Sequence, residues 1–307
     1  MTDALDLDGI ASRVESGEAL TTADIEGVVA TANLIGLGAL ADARRRRLHG
    51  DHVTFVRVAE LSATSGSTQD DGDVPSAAGE VRIVGDPPSR EAASEVTRRV
   101  VGIASGAPVT GFALDQLSKV CSDDPQSLGR LLGDLKQAGL DMISEARLEE
   151  ARVSEWLEVA DATGLDVAAL TVGEFDGADG VRLIRLAAGL RPSVANVRAF
   201  DPLPRASGPR VSTGYADTRQ VALARLLVDN IDSIQVDWVG YGPKLAQVAL
   251  TFGANDVDAV SPVDNADQGS RRTPLKEITR NIRAAAFVPV QRDGRFRDYV
   301  SNECDHS

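Results

Sequence analysis

A (β/α)8 TIM-type barrel with an N-terminal helical extension is the fold this sequence predicts, and three observations carry the prediction. Eight β-branched runs recur along the chain. Helical patterns separate most of them, the arrangement that builds a parallel sheet. The alternation spans roughly 235 residues, close to the size of such a barrel, about 250 residues. An open doubly wound sheet also alternates, but neither GxGxxG nor GxxxxGKS/T occurs in the chain.

Residues 1–52 are read as the extension. Within them 22–48 has helical apolar spacing. Asp24 or a neighbouring threonine can cap its start, and the run from Arg44 to Arg47 complements the helix dipole before Gly50. That run is read as a helix C-terminus, because no aromatic residue is interleaved with it as in a nucleic-acid patch. The barrel is placed at 53–286. Its strand-like runs are 53–61, 80–85, 108–114, 141–145, 166–173, 194–200, 233–239 and 256–261. Helical patterns cover 89–104, 125–138, 150–163, 177–189, 215–229, 243–252 and 273–286. The first crossover breaks the rule: 62–79 (SATSGSTQDDGDVPSAAG) lacks helical periodicity, is rich in Ser, Gly, Asp and Pro, and is expected to be a mobile polar loop. Residues 287–307 are expected to form a loosely packed tail.

Composition narrows the function classes. The chain has 307 residues, 43% hydrophobic and 25% charged, which excludes a disordered chain. Net charge is −14, from 46 acidic and 32 basic residues, against the basic face a nucleic-acid binder needs. No apolar run reaches the roughly 18 residues of a membrane helix, and the first residues are acidic rather than signal-like. A cytoplasmic protein without a membrane span is expected. The lysines are Lys119, Lys136, Lys244 and Lys276, the other basic residues being arginine; with abundant aspartate this fits a salt-rich, halophilic cytoplasm. The two cysteines, Cys121 and Cys304, cannot form a disulfide framework or hold a metal without several other ligands.

On a barrel, function sits at the C-terminal ends of the strands. Those ends carry Glu60, Asp86, Asp115, Glu145, Glu174, Asp201 and Asp237, with Ser261 and Asp264 after the last strand. Such a rim could bind Mg2+ or a cationic substrate, or raise carboxyl pKa values for acid–base work. The favoured reading is plainer: an acid-rich chain puts aspartates in every loop, where they cap the following helices. His49 and His52 flank the first strand at its stability end and His306 is in the tail, so no histidine is a candidate base or zinc ligand. Strand parity poses one sharp question. Asp237 and Trp238 lie on opposite faces of strand seven, and only one of them can point into the barrel.

The C-terminal third carries a likeness to a known family. Its pieces are Asp217-Thr218-Arg219, Ala224-Arg225-Leu226, Leu227-Val228-Asp229-Asn230-Ile231, Trp238-Val239, Lys244-Leu245-Ala246-Gln247 and Phe252-Gly253-Ala254-Asn255-Asp256, followed by RNIRAAAFVPVQRDGRFR at 280–297. These resemble the radical S-adenosylmethionine enzymes of the futalosine route to menaquinone, in the aminofutalosine-synthase branch. Dehypoxanthine futalosine cyclase and the deazaflavin-forming enzymes of coenzyme F420 synthesis are cousins. Thinner likeness runs upstream through 41–56, 81–88, 135–143 and 155–165.

The resemblance implies a barrel and a [4Fe-4S] cluster on a CxxxCxxC loop after the first strand, whose open iron chelates the cofactor. The corresponding loop, 62–79, has no cysteine, histidine or methionine. Asp70, Asp71 and Asp73 are hard oxygen donors, poor partners for such a cluster. Where the family has a glycine pair contacting the cofactor, this chain has Gly85-Asp86-Pro87, so Gly85 and Asp86 are the cofactor-contact positions. The family's glycine-rich segment after strand four is missing, and its Tyr-Gly-His after strand five is here Val172-Gly173-Glu174. No cofactor is expected, neither the cluster nor retained S-adenosylmethionine, and no metal ligand is assigned. The expected role is a cluster-less accessory or regulatory paralogue, partnered with an intact radical paralogue; the alternative is an enzyme doing non-radical acid–base chemistry on a menaquinone or deazaflavin precursor. For a small-molecule ligand the candidates at the strand ends are Glu145, Glu174, Asp237 and Asp264.

Overall fold

The computed structural model describes residues 7–64, 73–173, 179–190, 196–205, 214–264 and 274–298. The elements are α1 (Leu7–Ser16), α2 (Thr22–Ala30), α3 (Leu34–His49), β1 (His52–Ser62), β2 (Glu80–Val84), α4 (Arg90–Ile103), β3 (Val109–Ala113), α5 (Leu114–Val120), α6 (Pro125–Gln137), β4 (Met142–Arg147), α7 (Val153–Thr163), β5 (Asp166–Val172), α8 (Asp179–Gly189), β6 (Val197–Pro204), α9 (Tyr215–Leu227), β7 (Ser233–Asp237), α10 (Trp238–Leu250), β8 (Asp256–Val260), α11 (Pro274–Ala284) and β9 (Val288–Gln291). The first eight strands pair in parallel from β1 round to β8, and β1 pairs with both β2 and β8, so the sheet closes into a barrel. All eight strand-like runs are strands.

Helix positions follow local chemistry. Thr21 caps α2 in a reciprocal capping box with Asp24, and Ser89 and Asp124 cap α4 and α6. On α6, Leu128, Leu131, Leu132 and Leu135 are buried, the i, i+3, i+4, i+7 stripe of a helix laid on a sheet. Three differences from the expected pattern have local causes. The 22–48 run is two helices, because the chain extends at Thr31 and Asn33 then caps α3. α5 follows β3 directly where no helix was expected, since its seven residues are too short to show a period. α10 starts at Trp238 but is broken at Gly242 (φ +74°) before Pro243, so the segment from 243 that periodicity located is its second part. In the first crossover, residues 65–72, including Asp70 and Asp71, lie outside the described residues, and so does the expectation of mobility there.

The arginine run at the end of α3 is structural. Arg44 donates to the Leu226 carbonyl, Arg45 is fully buried with its guanidinium 3.9 Å from the Phe287 ring centre, and Arg46 pairs with Asp42. The extension is thereby held on the barrel, with α3 packed against α9.

Residues 288–291, within the segment expected as a loose tail, are part of the sheet. β9 lies parallel to the first half of β1, His52 through Phe55, while β2 takes the second half, Val58 through Ser62. One long strand thus serves two short neighbours on the same side. Arg292, just after β9, is 2% exposed and clamps Asp256 at the start of β8 through two hydrogen bonds of 2.7 Å. Asp256 also accepts from Thr54 and Gln235. Removing Arg292 leaves a buried carboxylate short of its cation. Arg292→Gln is therefore expected to cost about 3 kcal/mol, with amide exchange accelerating first across 288–291, as hydrogen–deuterium exchange would show.

Two of the family-like pieces of the C-terminal third, around Arg225 and Asn255, meet at this same end. Arg225, 1% exposed, donates to the carbonyls of Gly253 and Asp232 and to the Asn255 side chain. Asn255 in turn accepts from the Ile234 amide, tying β7 to the entry of β8. Gly253 has φ +106°, and a Cβ there would stand 2.7 Å from that of Arg225, so the turn requires glycine. These residues form a frame at the N-terminal ends of the strands, the stability face of a barrel.

Candidate functional site

The barrel interior is unusually polar. Side chains filling such barrels are mostly branched and apolar, yet here Glu80, Arg82, Thr110, Gln235, Asp256 and Asp258 are all buried. Arg82 on β2 and Asp258 on β8 are separated by β1, so a direct contact between them crosses the lumen. They make a two-pronged pair with both hydrogen bonds at 2.8 Å. Arg82 also donates to Glu80 (2.7 Å), which accepts from Thr110 (2.6 Å). Burial opposes ionisation of Asp258, but the guanidiniums of Arg82, Arg205 and Arg292 prevail and hold its carboxyl well below the ordinary range.

Above this layer Arg205, immediately after β6, reaches across the mouth. It bonds Glu145 on β4 at 3.0 Å and lies 3.4 Å from Asp201 on β6 and 3.7 Å from Asp258. Asp201 is fully buried. Burial pushes its carboxyl up, to about 7; Arg205 counteracts this, and the Asp237 carboxylate adds to it. Over these groups opens a cavity of about 240 Å³, whose charged lining is Glu60, Arg82, Glu145, Arg147, Arg205 and Asp237. That is smaller than the roughly 300–1,000 Å³ usual for ligand pockets. Its arginines are engaged by carboxylates: Arg147 lies 3.5 Å from Asp115 and 3.7 Å from Glu145.

Of the residues singled out at the strand ends, the cavity brings together Glu60, Gly85, Glu145 and Asp237. Gly85 (φ +94°) has open space where a Cβ would stand, and Asp86 is exposed and outside the lining. Asp264 also lies outside it, 3.0 Å from Arg57, whose guanidinium is held by the carbonyls of Ser261 and Pro262. Glu174 lies outside the described residues. The parity question has a divided answer: Asp237 lines the cavity and caps α10 through the Gly240 amide, while Trp238, 8% exposed, joins the core. The carboxylate scan passed over Arg82, Arg147 and Arg205. The legible signal was the alternation Glu80-Val81-Arg82 and Asp256-Val257-Asp258, which puts both members of each pair on one strand face.

The donor set does not suit a thiolate-bound cluster. Cys121 follows α5, packs in the hydrophobic core at 5% exposure, and has its thiol pushed up by burial, away from the thiolate form. Cys304 lies outside the described residues. The crossover after β1 contains no cysteine.

The closed parallel barrel with a charged mouth at its strand C-terminal ends places the protein among barrel proteins whose sites are built there. Residues 206–303 match the CofH/MqnC C-terminal region. The chain is 39% identical over 103 residues to the 5-amino-6-(D-ribitylamino)uracil–L-tyrosine 4-hydroxyphenyl transferase 2 of Methanosarcina mazei, covering 31% of this chain and 27% of that enzyme. It is 36% identical over 110 residues to the aminodeoxyfutalosine synthase of Thermus thermophilus (33% and 30%). With the cyclic dehypoxanthine futalosine synthase of Streptomyces coelicolor it shares 27% over 187 residues (54% and 46%). The chain thus matches less than half the length of these relatives. Methylornithine synthase shares the fold, with a TM-score of 0.63 at 15% identity over 91% of this chain and 97% of that one. So does the FeFe-hydrogenase maturase of Carboxydothermus hydrogenoformans, at 0.64 and 14% over 93% and 79%. Over its C-terminal third the chain is similar to the CofH/MqnC group of enzymes. No helix among the described residues is long and apolar enough to cross a membrane.

Proposed function

We propose that this chain is a cluster-less relative of the aminofutalosine-synthase-type enzymes, acting as a non-radical accessory or regulatory paralogue linked to menaquinone formation. The observation that carries the reading is Arg205, whose guanidinium bridges Glu145, Asp201 and Asp258 across the barrel mouth. The chain's own ion pairs line the small cavity above the lumen, and the crossover after β1 offers no thiolate. A surface that has lost its chemistry but kept its frame suits a subunit that assembles with an intact radical paralogue. The route is inferred from the futalosine enzymes among its relatives.

Anaerobic iron–sulfur reconstitution of the purified chain tests this directly. The expected result is a protein that retains no iron and develops no broad visible absorption. A stable band with about four irons per chain would overturn it.

A second reading has one observation in its favour. Asp201, with its carboxyl raised to about 7, lies beneath a cavity holding Glu145 and Asp237, the kind of group acid–base catalysis uses. On that reading menaquinone or deazaflavin precursors stabilise the parent chain against heat and Asp237→Asn abolishes the effect.

A further inference from the structure

The barrel mouth is short of cations. Glu60, Glu145 and Asp237 line its cavity of about 240 Å³ beside Arg82, Arg147 and Arg205. Each guanidinium already serves carboxylates: Arg82 holds Asp258 and Glu80, Arg205 holds Glu145 and Asp201, and Arg147 lies 3.5 Å from Asp115. The carboxyl groups therefore outnumber the arginines, and Lys119 beside Asp115 does not restore the balance. Two carboxylates of the lining are left over. Among the described residues Glu60 makes no hydrogen bond or ion pair, and Asp237 uses only Oδ1, to accept from the Gly240 amide of the helix it caps.

The buried polar atoms supply an independent observation. Asp115, flanked in the chain by Ala113 and Gln116 of the lining, meets Arg147 through Oδ2, while its Oδ1 is enclosed with no hydrogen-bond partner. Gln235 is 2% exposed and stands two residues below Asp237 on the same face of β7. Its amide donates to Asp256, but its Oε1 has no partner. Both unmet atoms are acceptors, and among the described residues neither the lumen nor the lining holds a buried side-chain donor left unmet. An enclosed acceptor without a donor is costly. A neutral donor would answer these oxygens but not the excess of carboxylates; a cation that carries N–H groups answers both.

We propose that the mouth binds a compact aliphatic amine, as its ammonium ion, through Glu60 and Asp237. The N–H groups of an ammonium make charge-assisted hydrogen bonds to carboxylates, the stronger kind. The cavity is below the roughly 300–1,000 Å³ of larger ligand sites, so the organic part is confined to a few carbons. Val84, half-buried in the lining, gives that part an apolar contact. The proposal goes beyond the accessory reading: it names what the mouth takes, and it holds whether the chain acts alone or in an assembly.

Calorimetric titration of the full chain with n-butylammonium, tetramethylammonium and n-butanol, near neutral pH and at matched ionic strength, tests the proposal. Saturable binding of n-butylammonium is expected, about tenfold tighter than that of tetramethylammonium, which has the charge without N–H donors, with none of n-butanol. Asp237→Asn keeps an oxygen for the cap of α10, and Glu60→Gln is a change at an exposed position. Each should weaken binding by about tenfold, whereas Glu95→Gln, on the exposed face of α4, should leave it unchanged. Should Asp237→Asn not fold, Glu60→Gln is read in the same way. Absence of saturable binding, equal affinity for tetramethylammonium or n-butanol, affinity unchanged in either mouth variant, or an equal loss in Glu95→Gln would each overturn the proposal. Cluster reconstitution, which tests the accessory role, has no bearing on these outcomes.

Discussion

Arg82→Met is expected to destabilise the protein by about 3–5 kcal/mol, the cost of breaking a buried ion pair from one side. For a chain of this size that lowers the melting temperature by roughly 10 °C. The reason is positional. Asp258 is 2% exposed and depends on the Arg82 fork, with Arg205 as a more distant second cation at 3.7 Å. Methionine matches the arginine stem in bulk but leaves the carboxylates of Asp258 and Glu80 facing each other in the lumen. Adding Asp258→Asn should recover part of the loss, because the neutral amide removes one of the two uncompensated charges. Thermal melts of the single and double variants check this; a single variant that melts with the parent would show that the pair contributes nothing.

The second large effect is a pH dependence seated at Asp201. Its carboxyl, raised to about 7 by burial, lies above the value of roughly 3.9 that it has in an unfolded chain. Below about pH 4 the group is protonated in both states, and the folded form bears no cost for it. As pH rises from about 4 to about 7 the unfolded chain ionises while the native one resists, so stability falls across that window, by about 4 kcal/mol at most. Asp258 has the opposite sign, its stabilisation being lost only as pH falls through the acid range. Asp201→Asn is therefore expected to melt several degrees above the parent at pH 8 and close to it near pH 4. The asparagine oxygen can still accept from the Leu203 amide, which Asp201 now serves at 3.2 Å. Melting curves taken between pH 4 and 8 decide it: a parent profile as flat as that of the variant would mean that Asp201 ionises normally.

Secondary structure was legible because its causes are local. Strand positions such as 166–173 and 256–261 follow from β-branched runs, and the limits of α4 and α6 from Ser89, Asp124 and their leucine and valine spacing. The likeness in the C-terminal third was legible too, yet its physical content was not. Arg225, Asn255 and Arg292 read as shared signature residues, and only their contacts reveal that they brace the lower end of the barrel. β9 escaped notice because four residues, Val288-Pro289-Val290-Gln291, are too few for periodicity to register and become a strand only by pairing with the first half of β1.

The sequence by itself determined the barrel class, the order of its strands, the acidic surface and the lack of thiols after the first strand. Each depends on composition or on neighbours a few residues apart. The mouth was decided by tertiary structure alone. Arg82 and Asp258 lie 176 residues apart in the chain, and Arg205 and Glu145 lie 60 apart. Whether such groups meet depends on closure of the sheet and on strand register, since a slip of one residue turns every side chain to the opposite face. A rim that reads in sequence as a ring of carboxylates is, once the barrel closes, a set of carboxylates interleaved with Arg82, Arg147 and Arg205.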